Sequence, residues 1–284
     1  MEDTRLDIFL IEGRSCLTGK FCPLPLAPSG RYDLLMQDQT WITLNTIYEE
    51  NCFNTFTRMP ENYLDLTVTS PPYNLGVQYD LYVDSQPYAD YFAWTEYWLR
   101  ELYRVTKPDG RVCINHCLSS TMDGRRCSPV ARIIALAEKV GFKYHGLAVW
   151  TDRSTRNFTM WGSWLSARAP YVQMPFEGII ILYKEHWRKE QVGITNIPKK
   201  EFIAGCSGIW DLPTQKRRGH PAAFPIELAS RCIQLFSYEG DIVYDPFMGS
   251  GTTAVACQNL NRNFIGSEIS KSYCLLAQER LKPR

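Results

Sequence analysis

The chain has 284 residues, 45% of them apolar and 21% charged, enough for one sizeable hydrophobic core, which excludes a disordered or fibrous protein. Its 31 basic and 30 acidic residues balance to +1, which excludes a uniformly basic nucleic-acid coat but leaves room for a local basic face. The longest apolar stretch, Gly178 to Tyr183, is far short of a membrane span, and no signal-peptide pattern opens the chain, so a cytoplasmic protein off the membrane is expected. The 10 cysteines contain no Cys-x-x-Cys pair. Reduced thiols are therefore expected rather than a disulfide framework or a metal site. In the tightest group, Cys113, His116, Cys117 and Cys127, the first member lies in an apolar run that reads as a buried strand.

In chain order, Gly13, Gly19, Pro23, Pro25, Pro28 and Gly30 punctuate an irregular arm, assigned to residues 1–45. Leu64 to Thr69 is a predicted strand stopped by Pro71-Pro72. Tyr91 to Val105 has apolar residues at helical spacing, and Lys107-Pro108-Asp109-Gly110 then predicts a turn. A strand over Arg111 to His116 and a helix over Pro129 to Val140 follow. Strands are predicted at Lys143 to Thr151 and Glu177 to Tyr183; the second is continuously apolar, as burial on both faces requires. The remainder alternates: helix Phe224 to Phe236, strand Asp241 to Asp245, helix Thr252 to Leu260, strand Asn263 to Ile269, helix Ser270 to Leu281. Such alternation predicts an α/β fold whose sheet is largely parallel, with helices on both faces. Two loop-rich stretches, 152–176 and 185–220, are the candidates for substrate contact.

Two motifs carry chemistry. Asp245-Pro246-Phe247-Met248-Gly249-Ser250-Gly251-Thr252-Thr253 follows an apolar strand and opens a helix, where glycines let the backbone turn tightly against a ligand. It is neither a Walker loop nor a dinucleotide fingerprint, having no terminal Gly-Lys-Ser/Thr and no third glycine. Glu268 ends the next strand, where an acid can hold ribose hydroxyls; alone it would read as a surface glutamate. The second motif, Ser70-Pro71-Pro72-Tyr73, follows another strand. Its double proline fixes the backbone, leaving a hydroxyl, carbonyl acceptors and an aromatic face for a planar ligand with an amino group.

Together the two motifs resemble those of S-adenosylmethionine-dependent DNA amino-methyltransferases that modify cytosine N4 or adenine N6. The catalytic motif precedes the cofactor motif, an order similar to the permuted β class. Trp161-Gly162-Ser163-Trp164, Ile209-Trp210-Asp211 and His220-Pro221-x-x-Phe224-Pro225 extend the resemblance over about Tyr48 to Leu281. It implies a Rossmann-like methyltransferase fold over residues 46–284, with a mostly parallel seven-stranded sheet containing one antiparallel strand. Ser70, Pro71, Pro72 and Tyr73 would be catalytic, with Tyr73 stacking on a flipped base. Asp245, Pro246, Phe247, Gly249, Ser250, Gly251, Thr252, Glu268, Phe224 and Pro225 would bind the cofactor. Serine at the head of the motif favours cytosine N4. Adenine N6 is the alternative, ahead of an RNA methyltransferase or an inactive DNA-binding protein. The implied partner is double-stranded DNA, and a cognate restriction endonuclease and a homodimer are further partners of the family.

Residues 151–220 carry eleven lysines and arginines against six acids, +5 in all, leaving −4 for the rest of the chain. Arg153, Arg156, Lys199, Lys200, Lys216, Arg217 and Arg218 are accordingly expected at a DNA interface, where such side chains neutralise phosphates.

Overall fold

A computed structural model describes residues 42–81, 83–151, 162–214 and 223–282. The first half runs β1 (Thr46–Glu49), α1 (Cys52–Arg58), β2 (Leu64–Thr69), α2 (Tyr88–Val105) and β3 (Thr106–Cys117), then a hairpin, β4 (Ser120–Met122) and β5 (Arg125–Cys127). It continues through α3 (Pro129–Val140), β6 (Lys143–Thr151) and β7 (Glu177–Tyr183). The second half comprises α4 (Lys199–Gly205), β8 (Ile209–Asp211), α5 (Ile226–Phe236), β9 (Ile242–Asp245), α6 (Thr252–Asn259), β10 (Asn263–Glu268) and α7 (Lys271–Leu281).

Eight strands form one sheet in the order β1-β10-β9-β2-β3-β7-β6-β8. All run parallel except β7, which is antiparallel to both of its neighbours. The sheet thus has one strand more than the seven expected; β8 spans three residues, too few for a period-two pattern to show.

Period-two side-chain alternation divides the core into two layers. Val112, Ile114, Ile180, Leu182, Tyr244 and Ile265 face a layer shared with Phe56, Trp98, Leu99, Leu102 and Ile133 of α1, α2 and α3. Cys113, Ile179, Ile181, Val243 and Phe264 face the other, with Leu228, Cys232, Ala254 and Cys274 of α5, α6 and α7. The five central residues of β7 are all buried, which explains why that strand is continuously apolar.

Helix ends follow local chemistry. Ser128 caps α3 by accepting from the Ala131 N–H, Pro129 occupies its first turn and Gly141, at φ 124°, ends it. Helix α2 starts three residues earlier than expected, at Tyr88, because Asp123 Oδ2 accepts from the Tyr88 N–H at 3.0 Å. The turn expected at 107–110 is instead a bulged start to β3. Thr106 pairs with Leu64 and Arg111 with Leu66, and the intervening carbonyls of Pro108 and Gly110 accept N–H groups from residues 184–186.

Candidate active site

Strand order changes direction between β9 and β2: the chain proceeds from β9 outward through β10, and from β2 outward through β3 on the opposite side. Ligands of open α/β sheets bind at the carboxyl ends of strands flanking such a switch point. Both motifs leave the sheet there. Thr69 and Asp245 are 176 residues apart in sequence, yet the Thr69 hydroxyl donates to Asp245 Oδ1 at 2.7 Å.

After β2, Ser70 Oγ donates to Tyr73 Oη at 2.9 Å, and Tyr73 Oη donates to Glu177 Oε2 at 2.7 Å. Asn115 Nδ2, from β3, donates to Tyr73 Oη (2.8 Å) and to Glu177 Oε2 (2.6 Å). His116 stacks beneath the Tyr73 ring, with centroids 4.2 Å apart at 25°. The Tyr91 hydroxyl donates to the Pro72 carbonyl (2.7 Å) and lies 2.8 Å from His116 Nε2. Because Tyr91 has a single proton, His116 Nε2 carries its own and donates to Tyr91 Oη. Burial pushes the His116 imidazole down to about 3, so it is neutral, and burial raises the Glu177 carboxyl. Asn74, at φ 58°, closes the motif with two hydrogen bonds to the Gln86 backbone.

After β9, Gly249 (φ 52°) and Gly251 (φ 80°) take the left-handed conformations that favour glycine. Gly251 also lies against α7, where a Cβ would stand 2.6 Å from that of Ala277. The Gly249 N–H donates to Glu268 Oε2 and the Ser270 N–H to Oε1, each at 2.8 Å. Each Glu268 oxygen thus keeps a lone pair, which suits the two hydroxyls of a ribose. Phe247 packs against Trp94 (5.3 Å) and Trp98 (5.6 Å), which places those tryptophans in the support of the loop.

Other residues of the motif face inward. Asp245 accepts from Thr69 Oγ1, the Phe247 N–H and Thr253 Oγ1, and burial raises its carboxyl to about 6. It ties the two loops together. Ser250 and Thr252 accept from Arg280 of α7, Pro246 is buried, and Pro225 caps α5 behind a buried Phe224. Among the described residues no cluster of three or more His, Cys, Asp or Glu could hold a metal ion, and no helix is long and apolar enough to cross a membrane.

Arg153, Arg156, Lys216, Arg217 and Arg218 lie outside the described residues, as do Trp161, His220 and Pro221. Lys199 lines a cavity with Arg111, Phe236 and Tyr238, at the amino ends of the parallel strands, the sheet edge opposite Ser70. Lys199, with Lys200 next to it in α4, is thus placed on the edge away from both motifs. The cause is β7, whose reversed direction starts it at the catalytic edge and ends it at the other. Two more basic residues after β7 are internal struts. Lys184 Nζ donates to Asn62 Oδ1 and to the Thr106 carbonyl, and Lys189 pairs with Asp65 and Asp241. Conversely, exposed Arg125 and Arg168, on segments leaving or approaching the catalytic edge, were not singled out in the sequence. Neither were Asn115, Tyr91 and Glu177; the visible signal was the polar Asn115-His116 pair interrupting an apolar strand.

Residues 64–279 match the DNA methylase family. The chain is 31% identical to the type II methyltransferase M.HpaI of Haemophilus parainfluenzae over 81% of its own length and 72% of that protein's. It is 32% identical to the orphan methyltransferase M.BamHII of Bacillus amyloliquefaciens, over 77% and 89% respectively. Among solved structures, a DNA modification methylase from Thermus thermophilus, complexed with S-adenosyl-L-methionine, aligns over 82% of this chain and 91% of its own, with a TM-score of 0.64 and 27% identity. The cytosine-N4-specific PvuII DNA methyltransferase shares the fold, with a TM-score of 0.65 and 19% identity over 86% of this chain and 88% of its own. The two loops meeting at the switch point and these likenesses lead to one conclusion: the chain belongs to the DNA methylase family of N6/N4 methyltransferases.

Proposed function

We propose that the protein transfers a methyl group from S-adenosylmethionine to the exocyclic N4 of cytosine in duplex DNA, with the base flipped out of the stack. The observation that carries this reading is the Thr69–Asp245 tie, which sets the hydroxyl-and-carbonyl loop beside the ribose-type acid loop at one switch point. Bound S-adenosylmethionine supplies an electrophilic sulfonium methyl. Glu268 would hold its ribose, Gly249, Gly251 and Phe247 would shape the loop around it, and Phe224 and Pro225 would serve its methionine end. Asp245, Pro246, Ser250 and Thr252 keep that loop in shape.

An exocyclic amine is a poor nucleophile because its lone pair is delocalised into the ring. Acceptors for its N–H bonds favour the tetrahedral nitrogen that attacks. The Ser70 hydroxyl and the Pro71 carbonyl are those acceptors. Since Ser70 gives its own proton to Tyr73, its oxygen lone pairs remain for the amine. The Tyr73 ring, supported by His116 on one face, offers the other to the extruded base. Residues 46–284 form the catalytic domain. Its DNA contacts come from the loop-rich stretches on either side of β7, 152–176 and the part of 185–220 that follows Asp211. Site-specific modification of DNA is supported by likeness to relatives named type II methyltransferases, and a cytoplasmic setting and a partner endonuclease belong to the same reading.

Serine rather than aspartate at the head of the motif supports cytosine N4 over adenine N6. Mass spectrometry of nucleosides from DNA treated with protein and cofactor tests this, with N4-methylcytosine expected. N6-methyladenine alone would overturn the base assignment, and no methylation of any DNA would overturn the enzyme.

A further inference from the structure

The methylated amine must lose a proton, and a serine hydroxyl at its ordinary pKa cannot hold it. The chain of hydrogen bonds leaving Ser70 has one direction. Ser70 Oγ donates to Tyr73 Oη, Tyr73 Oη donates to Glu177 Oε2, and no member of the chain donates back. Asn115 fixes both joints, because its single amide nitrogen reaches Tyr73 Oη and Glu177 Oε2 at once. Its Oδ1 is buried without a partner, so the cluster keeps one acceptor for an incoming donor.

The neighbouring titratable groups leave Glu177 as the base. His116, on the far face of Tyr73, is neutral, and its Nε2 proton is engaged with Tyr91. Cys117, paired with Glu177 across β3 and β7, is pushed up to about 12 and stays a thiol. Tyr73 is raised well above its ordinary value, so it passes a proton on without holding a charge. No cation pairs with Glu177 among the described residues.

We propose that Glu177 is the terminal proton acceptor of the reaction, reached from the target amine through Ser70 Oγ and Tyr73 Oη. The inference rests on the methyltransferase reading above. The amine lone pair forms the new C–N bond while the bond from methyl carbon to sulfur breaks, its electron pair staying on sulfur. The amine proton passes to Ser70 Oγ as Ser70 gives its own to Tyr73 and Tyr73 gives its own to Glu177. A neutral methylamino base and a neutral Glu177 acid result, and the acid then returns its proton to solvent. Glu177 thus supplies, two hydrogen bonds away, the carboxylate that the serine-headed motif lacks.

The test is the single-turnover rate of methyl transfer as a function of pH, with DNA and cofactor affinities measured separately. In the wild type the rate should rise with pH through an acidic limb set by Glu177. Glu177→Gln should slow transfer by about 100-fold or more and remove that limb, with both affinities unchanged. Tyr73→Phe keeps the stacked ring and loses only the hydroxyl, so it should reproduce the loss. The double variant should then be no slower than either single one. Glu177→Asp should recover part of the rate. Wild-type speed in Tyr73→Phe, additive losses, or an acidic limb that persists in Glu177→Gln would overturn the relay. An active wild type with unaffected variants would reject the relay alone, whereas an inactive wild type would reject the function beneath it.

Discussion

Asp245 shows how one buried side chain holds two loops of a site together. Three internal donors hold its carboxylate, no cation among the described residues pairs with it, and burial raises it to about 6 from an ordinary 3.8. The folded protein therefore holds this proton more tightly than the unfolded chain does. Stability from the group is full below about pH 4 and is lost as pH rises through about 6. Asp245→Asn can keep the acceptor toward Thr69 and Phe247 while its amide donates to the Thr253 hydroxyl, which can turn toward the Val68 carbonyl. Its unfolding free energy relative to wild type should climb from about pH 4 to about pH 6 and level off above. Urea titrations at pH 5, 6 and 7.5 check this, and a difference independent of pH would refute it. His116 has the opposite sign: its depressed value makes stability fall as pH drops below about 6.5.

At the scale of elements, the cofactor loop depends on α7 lying close over α6. Gly251→Ala incurs two costs, a left-handed backbone at φ 80° and a Cβ 2.6 Å from that of Ala277. Gly124, in the β4–β5 turn, shares the first cost at φ 71° but has nothing within 4 Å of a Cβ. Gly124→Ala should cost about 1 kcal/mol, and Gly251→Ala about 1–3 kcal/mol more. Thermal unfolding of the two variants checks the ordering; equal losses would mean that α7 yields freely. The reversal of β7 acts at the same scale. It brings Glu177 to the carboxyl edge beside Asn115 and carries residues 184–198 to the amino edge, where Glu239 and Arg262 anchor them through Ile194 and Asn196.

For the molecule as a whole, near-neutral charge conceals segregation, and the fold refines where it lies. Of the eleven basic residues between 151 and 220, Lys184 and Lys189 are internal and Lys199 and Lys200 sit by the amino edge. Lys216, Arg217 and Arg218 lie outside the described residues and keep the place in the DNA interface that their charge suggests. Changing these three to alanine should lower the slope of log affinity against log salt by about 2–3, since each neutralised phosphate contributes about 0.9. Lys199→Ala with Lys200→Ala should leave the slope as it is. Filter-binding titrations across salt concentrations distinguish the two; an unchanged slope in the triple variant with a lowered one in the Lys199 and Lys200 variant would return the interface to α4.

The sequence by itself determined the elements and motifs whose cause is local. β2, β6, β7 and α3 occupy their expected residues because an apolar pattern with proline, glycine or serine at its ends specifies both type and boundary. β1, α1, the β4–β5 hairpin, α4 and β8 went unseen because three to seven residues hold too few repeats of either period. The Ser70 and Gly249 loops were legible because each is contiguous and dictates its own backbone. Only the tertiary structure decided that Asp245 ties those loops together, that Lys199 lies by the amino edge, and that Tyr73, Asn115 and Glu177 converge. Those contacts depend on strand order and direction: Cys117 pairs with Glu177 because β7 runs against β3, and the intervening chain carries no record of that pairing.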